Sequence, residues 1–332
     1  MNISVIIPVY NVEKFVERCI LSIMKQTYTE GVECIVVNDC TLDNSMKIVE
    51  RLVADYKGQI QFKLINHEHN KGLAAVRNTG LYAASGNYII HIDSDDYCEP
   101  NMLEKMYTQA VKEDADIVMA DYWDTWSDKE IYRAQQIPDI NESYAKFLLQ
   151  GKIAVVVWNK MIRRRLLIEN GLNSIEGIDM GEDNLLIYRL FSLAPKVVHL
   201  PEAFLHYVHY NPNSYCQSLS RKSLNDIVFT EQFLIDFYTK AGLYTELQGE
   251  LLKIRISNRL LLMERSRGKL QKKWNYLYDD ISLKEVVKYS PTRKRLFLSL
   301  LAALHLLPML NGLFYIRNKI VHSDCKCNVY KE

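Results

Sequence analysis

The stretch GNYIIHIDSDD at residues 86–96 decides the fold of this chain. Its apolar part, residues 88–92, is short and rich in isoleucine, which is typical of a strand buried in a sheet. Asp93, Asp95 and Asp96 follow directly. Carboxylates this close repel one another strongly unless a cation lies among them. Their oxygens suit Mg²⁺ or Mn²⁺, which proteins usually hold with one or two carboxylates and the phosphates of a substrate. The alternative is an Asp-rich turn whose acids cap the next helix.

Similar apolar segments alternate with helical patterns on both sides of this stretch. We expect further strands at residues 3–9, 32–37, 60–65 and 117–120. We expect helices at residues 43–56, 72–84 and 100–112, and another that Asn11 caps and that runs to Ile23. Strand and helix alternation of this kind predicts an α/β, Rossmann-like fold, with a mostly parallel sheet and helices on both faces.

Polar residues follow the first two predicted strands as well. Pro8, Val9, Tyr10 and Asn11 lie at the end of the first strand, and Asp39 follows the second. In an open parallel sheet, ligands bind beyond the carboxyl ends of the strands. These residues and the acids of the opening stretch are therefore expected at one edge of the sheet. The pattern predicts a site for a metal ion and a diphosphate there.

The composition narrows the class of protein. Apolar residues make up 48% of the 332 residues and charged residues 24%, as in ordinary globular proteins. The 41 basic and 40 acidic residues leave a net charge of +1, which argues against a nucleic-acid partner. The seven cysteines are scattered and form no CxxC pair, which favours a reducing, cytoplasmic compartment. The N-terminus has no pattern of a secretory signal.

The alternation stops after residue 122 and divides the chain into three parts. Residues 1–122 are the α/β half of a domain, and residues 123–220 are its second half. In that second half we expect a helix at 183–194 and two short strands within 196–210. Residues 221–332 have a nearly continuous helical pattern and form a helical C-terminal region.

Residues 296–314, LFLSLLAALHLLPMLNGLF, carry no charged residue and are bracketed by Arg and Lys on both sides. Nineteen residues reach the lower end of membrane-spanning length, but Pro308 is expected to kink or end the helix near Leu307. We therefore expect a helix lying on a membrane surface, at the cytoplasmic face of the plasma membrane. The alternative is a helical hairpin that closes a soluble core.

Four motifs in one order carry a resemblance to family 2 of the inverting nucleotide-sugar glycosyltransferases, which have the GT-A fold. They are SVIIPVYN at residues 4–11, VVNDCTLDNS at 36–45, NKGLAAVRNTGL at 70–81 and the opening stretch. The resemblance is strong over residues 1–122 and weak after about residue 215. It implies that 1–122 binds the donor and that 123–220 binds the acceptor and holds the catalytic base.

The resemblance also implies roles for the residues of the first half. The loop from Pro8 to Asn11 and Asp39 would hold the base of the nucleotide, usually uracil. Arg77 and Asn78 would lie near the diphosphate, Asp93 would contact the ribose or a bound water, and Asp95 would be the direct metal ligand with Asp93 beside it. Asp96 would support the metal site without binding the metal directly. One departure is Cys40, because the family usually has Gly at this position, and the identity of the base is the point it affects.

For the second half, the resemblance implies that Asp183 takes the proton of the acceptor hydroxyl, with Glu182 as its neighbour. The alternative for both acids is capping of the helix that they precede. Acceptor contacts are implied for Trp158, Asn159 and Lys160, with the core as the alternative for Trp158. A loop that closes over the diphosphate is implied for four polar residues, which are His206, His209, Asn213 and Ser214.

These observations predict a metal-dependent inverting glycosyltransferase that adds a single sugar to a polysaccharide or a lipid-linked glycan. Processive relatives carry Gln-x-x-Arg-Trp, and here Gln271 and Trp274 frame a pair of lysines. Two alternatives stay open. A sugar-phosphate nucleotidyltransferase has a similar sheet but would need a Gly-rich basic loop after the first strand. An inactive scaffold subunit at the membrane would be expected to lack some of the acids.

Overall fold

The computed structural model describes residues 1–139, 142–178, 180–212 and 220–321, with side chains described up to residue 316. The chain divides into two compact units, residues 1–213 and 214–332. In the first unit the strands are β1 Ile3–Val9, β2 Val32–Asn38, β3 Gln61–Asn66, β4 Tyr88–His91, β5 Tyr97–Cys98, β6 Ile117–Thr125, β7 Glu130–Arg133, β8 Lys160–Arg163 and β9 Val197–Val208. Its helices are α1 Val16–Met24, α2 Ser45–Asp55, α3 Leu73–Ala83, α4 Met102–Lys112, α5 Tyr144–Leu149, α6 Arg164–Glu169 and α7 Glu182–Leu193.

The strands of the first unit form one sheet in the order β3-β2-β1-β4-β8-β6-β9-β5, with β7 paired to β6. The pairs among β3, β2, β1 and β4 are all parallel. Beyond β4 the sheet is mixed, because β8 inserts antiparallel between β4 and β6 while β9 runs parallel to β6. The predicted α/β class is confirmed, and the parallel arrangement holds for the first four strands.

Two local predictions in this unit were wrong. The expected pair of short strands within 196–210 is one continuous strand, β9. It accommodates Pro201 because the register with β6 shifts beside Asp121, and a bulge is one of the few places where a strand tolerates proline. Asn11 does not cap α1, since it has a left-handed φ of 53° and the helix begins only at Val16.

Helix α3 lies unusually close to the sheet. An ideal Cβ built on Gly80 would lie 2.3 Å from a methyl carbon of Ile6 on β1, so only glycine permits this approach. The small residues Ala74 and Ala75 are buried on the same helix. The close packing brings the Arg77 side chain of α3 down to the edge of the sheet.

The second unit is helical, as the sequence predicts. Its helices are α8 Arg221–Lys240, α9 Tyr244–Glu264, α10 Gly268–Asn275, α11 Leu283–Tyr289, α12 Arg293–Ala303 and α13 Leu307–Val321. Trp274 is fully buried at the centre of the core, among leucines of α9, α10 and α12. Gln271 exchanges side-chain hydrogen bonds with Asn311 of α13. Both residues of the Gln-x-x-Trp pattern therefore hold the helices together.

Residues 296–314 form most of a helical hairpin, α12 and α13. The helix is interrupted at Leu304–Leu306, where His305 has a φ of 55°. Pro308 lies in the first turn of the next helix, α13. The break therefore precedes the expected position by three residues, because proline is accepted in the first turn of a new helix. Leu298 and Phe314 are buried in the core of the unit. Within the described residues, no helix is both long enough and apolar enough to cross a membrane.

A candidate active site at the strand ends

The first group of expected site residues lies where β1 and β2 end. Pro8 and Val9 are the buried last residues of β1, and Tyr10 follows with 41% of its surface exposed. Asn11 then turns the chain. Asp39 lies beside this turn, because its backbone N–H donates to the carbonyl oxygen of Val9 over 3.0 Å. The five residues therefore form one continuous rim.

The carboxylate of Asp39 is buried and held by the loop before α3. Its Oδ1 accepts hydrogen bonds from the backbone N–H of Lys71 and from Nδ1 of His67, each over 2.8 Å. Its Oδ2 accepts one from the N–H of Gly72 over 2.9 Å. A carboxylate has about four lone-pair positions, so one acceptor position remains. Cys40 follows directly, with a φ of 58° where glycine would be unstrained.

The acids after β4 lie in a buried and crowded place. Asp95 accepts a hydrogen bond from Nδ2 of Asn211 over 2.8 Å. Asp96 accepts one from the backbone N–H of Val208, also over 2.8 Å, but its second oxygen is buried with no partner among the described residues. Burial raises the pKa of both carboxyls, and the neighbouring acids act in the same direction. Their negative charge is therefore poorly compensated by the chain itself.

This donor set fits a divalent cation. Its ligands are hard oxygens, and the unpartnered oxygen of Asp96 has the free electron pair that a nearby cation would stabilise. No cluster of three or more His, Cys, Asp or Glu able to enclose a metal occurs in the part of the chain that the structure describes. The residues thus match a site in which one or two carboxylates act together with substrate phosphates.

Arg77 joins the donor-side acids to the acids of the second half. Its Nη2 donates to Asp93 Oδ1 over 3.0 Å, and its Nη1 donates to Glu182 Oε1 over 2.7 Å and to Asp183 Oδ1. Only 2% of the Arg77 side chain is exposed. One guanidinium thus faces three carboxylates, and their charge raises the pKa of Arg77 despite its burial. The resemblance implied that Arg77 lies near the diphosphate. In the structure its guanidinium forms ion pairs with the three carboxylates.

Glu182 and Asp183 open α7, but their carboxylates turn toward the site. Besides Arg77, Asp183 binds the backbone N–H of Val157, which donates to its Oδ2 over 3.2 Å. Burial is the main cause that raises the pKa of both acids, and the charge of Arg77 opposes it. Burial thus favours proton uptake by these two carboxyls, and the guanidinium of Arg77 limits it.

The remaining expected site residues are buried. Asn78 holds the backbone of Ser174 from both sides, donating to its carbonyl and accepting from its N–H, each over 2.9 Å. Trp158 is 3% exposed and packs on Tyr122 and Tyr207. Asn159 donates to the carbonyl of Ala120 over 2.8 Å. We therefore propose supporting roles for Asn78, Trp158 and Asn159, because none of them presents a free face to a sugar.

His206 and His209 lie on and just after β9. Both ring nitrogens of His206 face carboxylates, Glu130 at 2.8 Å and Glu99 at 3.0 Å. His209 lies 2.8 Å from Asp124. These contacts fix both rings against the sheet. Asn213 and Ser214, named from the sequence with them, lie outside the described residues.

Three contacts of the site have no signature in the sequence. Asn211 reaches Asp95 from the end of β9, and Val157 reaches Asp183 through a backbone N–H, which no side-chain pattern could reveal. Arg18 of α1 donates to the carbonyl of Asp95 over 3.2 Å and lies 4.1 Å above the ring of Tyr97. Only its place on a helix beside a strand end could have suggested it.

Replacing Arg77 with Met should destabilise the first unit strongly. Three carboxylates, none with more than 23% of its side chain exposed, would lose their shared cation. Breaking a buried ion pair from one side costs about 3–5 kcal/mol. Urea unfolding of the wild type and of Arg77→Met measures this difference. Arg51→Met is the control, since Arg51 pairs with Glu17 at the surface with 62% and 52% of the two side chains exposed. Such a pair contributes about 0–1 kcal/mol. Equal losses in both variants would show that Arg77 is not a charged centre of the site.

The sheet thus carries acids at its strand ends, and Arg77 joins them to a second acid pair. Residues 4–171, half of the chain, match the family described as glycosyl transferase family 2. The chain belongs to this family and is a glycosyltransferase that acts on nucleotide sugars.

Curated relatives agree with this family. The chain is 33% identical over 251 residues to the uncharacterized glycosyltransferase EpsJ of Bacillus subtilis. The alignment covers 73% of this chain and 71% of EpsJ. It is 35% identical over 212 residues to the putative glycosyltransferase EpsH of the same organism, covering 62% and 60%.

Solved structures share the fold. S. aureus TarS in complex with UDP-GlcNAc superposes with a TM-score of 0.69 at 18% identity, covering 96% of this chain and 92% of that one. The mannosyltransferase PcManGT of Pyrobaculum calidifontis, in complex with GDP-Man and Mn²⁺, gives a TM-score of 0.53 at 15% identity, covering 96% and 85%. The expected GT-A fold is thereby confirmed.

Proposed function

We propose that this enzyme is an inverting, metal-dependent glycosyltransferase that moves one sugar from a UDP-sugar to a polysaccharide or a lipid-linked glycan. The observation that carries the proposal is the position of Arg77, whose guanidinium contacts both Asp93 of the donor edge and Asp183 of the second acid pair. A donor held at the first and an acceptor held at the second would meet within one buried site. Mn²⁺ or Mg²⁺ is the proposed cofactor.

The donor would bind along the strand ends. The free acceptor position of Asp39 suits the N–H of a uracil ring, and Tyr10 has an exposed face on which a base can stack. Asp95 and Asp93 would hold the cation, which when bound offsets the charge of the leaving diphosphate. TarS binds UDP-GlcNAc and PcManGT binds GDP-Man, so the fold accepts two bases, and Asp39 supports UDP for this chain.

The acceptor would be activated by Asp183. An inverting transfer needs a base on the face of the sugar opposite to the leaving group, and a carboxylate takes the hydroxyl proton as the new bond forms. Arg77 and the N–H of Val157 orient the two oxygens of Asp183. Glu182 shares the same guanidinium and keeps Arg77 in place.

Nucleotide binding tests the donor half of this proposal. We expect UDP with Mn²⁺ to raise the melting temperature of the protein, because a ligand that binds only the folded state stabilises it. GDP, CDP and ADP at the same concentration are the comparison. EDTA should abolish the effect of UDP. An equal rise with every nucleotide, or a rise that ignores EDTA, would contradict the assignment of Asp39 or of the metal.

We further propose that α12 and α13 touch the cytoplasmic face of a membrane. Phe297 and Leu304 are 52% and 51% exposed, and Met309 and Ile316 are 55% and 53% exposed. Met309 and Ile316 are seven residues apart on α13, so they lie on one face of that helix, while Phe297 lies on α12 and Leu304 follows its last residue. Residues 293–295, Arg-Lys-Arg, are exposed at the start of α12. An apolar surface beside basic residues is the chemistry that binds anionic lipids.

The change of Phe297 and Met309 to Ser together should weaken binding to anionic vesicles and leave unfolding unchanged, since both side chains point away from the core. Sedimentation with phosphatidylserine vesicles measures the binding, and Leu283→Ser, at an apolar residue of α11 that is 47% exposed, is the control. Cutting the chain at residue 290 would be a poor test, because it would remove Leu298 and Phe314 from the core. Equal sedimentation of the wild type and both variants would contradict the proposal that α12 and α13 contact a membrane.

A further inference from the structure

Lys160 is a buried charge in the second half of the first unit. It is the first residue of β8, and none of its surface is exposed. Its Nζ donates to the carbonyl oxygens of Ala154 and Val156, each over 2.8 Å, and to Oδ1 of Asn159 over 2.7 Å. All three donors of the ammonium therefore meet neutral oxygens. A charge placed this way is costly, so its position calls for a reason.

The backbone segment to which Lys160 donates also contains the N–H that binds Asp183. Residues 154–157 fold around the ammonium, and the backbone N–H of Lys160 donates to the carbonyl of Val157 over 3.2 Å. The N–H of Val157 then points at Oδ2 of Asp183, with 3.2 Å between nitrogen and oxygen. The ammonium also acts on the carboxylate directly through its charge. One side chain thus fixes a hydrogen-bond donor of the acid and supplies a positive charge beside it.

We propose that Lys160 is a positioning residue for Asp183, fixing the Ala154 to Val157 segment against the carboxylate. This inference rests on the proposed role of Asp183 as the base. It replaces the acceptor contact expected from the sequence, because a fully buried Nζ with three partners cannot reach a sugar.

The electrostatics of the neighbourhood agree in sign. Burial raises the pKa of Asp183, and the negative charge of Asp93 adds to this, whereas Arg77, the N–H of Val157 and Lys160 lower it. Burial lowers the pKa of Lys160 to about 7, against the charge of Asp183. Glu182 is the other acid of the group, and the ring of Phe191 lies 5.8 Å from Nζ. Removing the ammonium should therefore leave Asp183 protonated up to a higher pH.

The variant Lys160→Met tests this role, because methionine keeps the volume and removes the ammonium. We expect turnover to fall by up to ~10²-fold, the scale of a misplaced catalytic group, with the affinity for the donor nucleotide unchanged. We also expect the acid limb of the turnover against pH to move to higher pH. Amide hydrogen exchange should show Val157 exchanging faster. Lys152→Met is the control, since the Lys152 ammonium lies over the ring of Phe147.

A turnover and an acid limb like those of the wild type would overturn the proposal. A lower turnover with an unmoved acid limb and unchanged exchange at Val157 would also overturn it, since that is a purely structural loss. If the wild type transfers no sugar from any donor, the proposed function fails, and exchange at Val157 alone judges the arrangement. Faster exchange then supports the contact that Lys160 maintains, and unchanged exchange refutes it.

Discussion

Asp183→Asn should slow transfer by ~10²-fold or more while leaving donor binding intact, the scale on which a general base contributes. The amide has the shape of the carboxylate but cannot take the proton of the acceptor hydroxyl. Asp93 and Asp95 lie in the loop after β4, whereas Asp183 lies in the first turn of α7, so the change leaves the donor-side carboxylates in place. Turnover at saturating donor and acceptor, together with nucleotide affinity by calorimetry, measures both parts of the expectation.

Asp55→Asn is the matched control for this change. Asp55 is exposed at the end of α2, so the same loss of charge there should leave turnover unchanged. A variant of Asp183 that loses nucleotide binding while bound donor still turns over would assign Asp183 to the donor site. The base would then have to be sought elsewhere.

Asp95→Ala should remove nearly all transfer and leave the fold intact. The lost group is the proposed metal ligand, and burial raises the pKa of its carboxyl although the charge of Arg18 opposes this, so the ionised group contributes little to stability. The amide of Asn211 is 3% exposed and would lose this acceptor, at a cost of about 1–3 kcal/mol that a water in the space left by the carboxylate would reduce. Unfolding by urea measures the fold, and the paramagnetic signal of Mn²⁺ titrated with and without UDP measures the metal.

Full activity of Asp95→Ala in EDTA would contradict the proposal of a metal at this site. Loss of Mn²⁺ binding together with loss of transfer supports it. An unchanged Mn²⁺ titration with lost transfer would move the metal to other ligands and leave Asp95 as a contact of the donor.

The first half of the fold was accessible from the sequence because β1, β2 and β4 are buried on both faces. Continuous apolar runs such as residues 3–9 and 32–37 leave few alternatives, and Gly80 explains why the small-residue helix lies so close to the sheet. In the second half the helix expected at 183–194 is present as α7, but the strands were not accessible. β8 is four residues long and contains a buried lysine, and β9 contains Pro201, so neither has the pattern of a central strand.

The acids of the site could be predicted because strand ends meet at one edge of a sheet. The pairing of those acids with Arg77 could not be predicted. Arg77 and Glu182 are 105 residues apart along the chain, and no local pattern indicates that a helix of the first half pairs with a helix start of the second. The resemblance implies an acceptor contact for Lys160, and no pattern in its segment indicates that this lysine is buried, since lysines are mostly exposed.

The C-terminal hairpin shows a different limit. Residues 296–314 are apolar on all sides, so composition could not separate a membrane surface from a soluble core. In the structure the two interpretations fall on different faces. Leu298 and Phe314 pack inside the unit, and Phe297 and Met309 are exposed.

Product analysis after incubating the purified protein with a panel of nucleotide sugars, Mn²⁺ and glycan acceptors tests the proposed transfer itself. We expect release of a nucleoside diphosphate from one donor, in equal amount to a new glycoside whose anomeric configuration is opposite to that of the donor. Asp183→Asn should form both products more slowly, and by the same factor. No release from any donor by the wild type would contradict the account. So would pyrophosphate formed from a nucleoside triphosphate and a sugar phosphate, since that is the reaction of a nucleotidyltransferase.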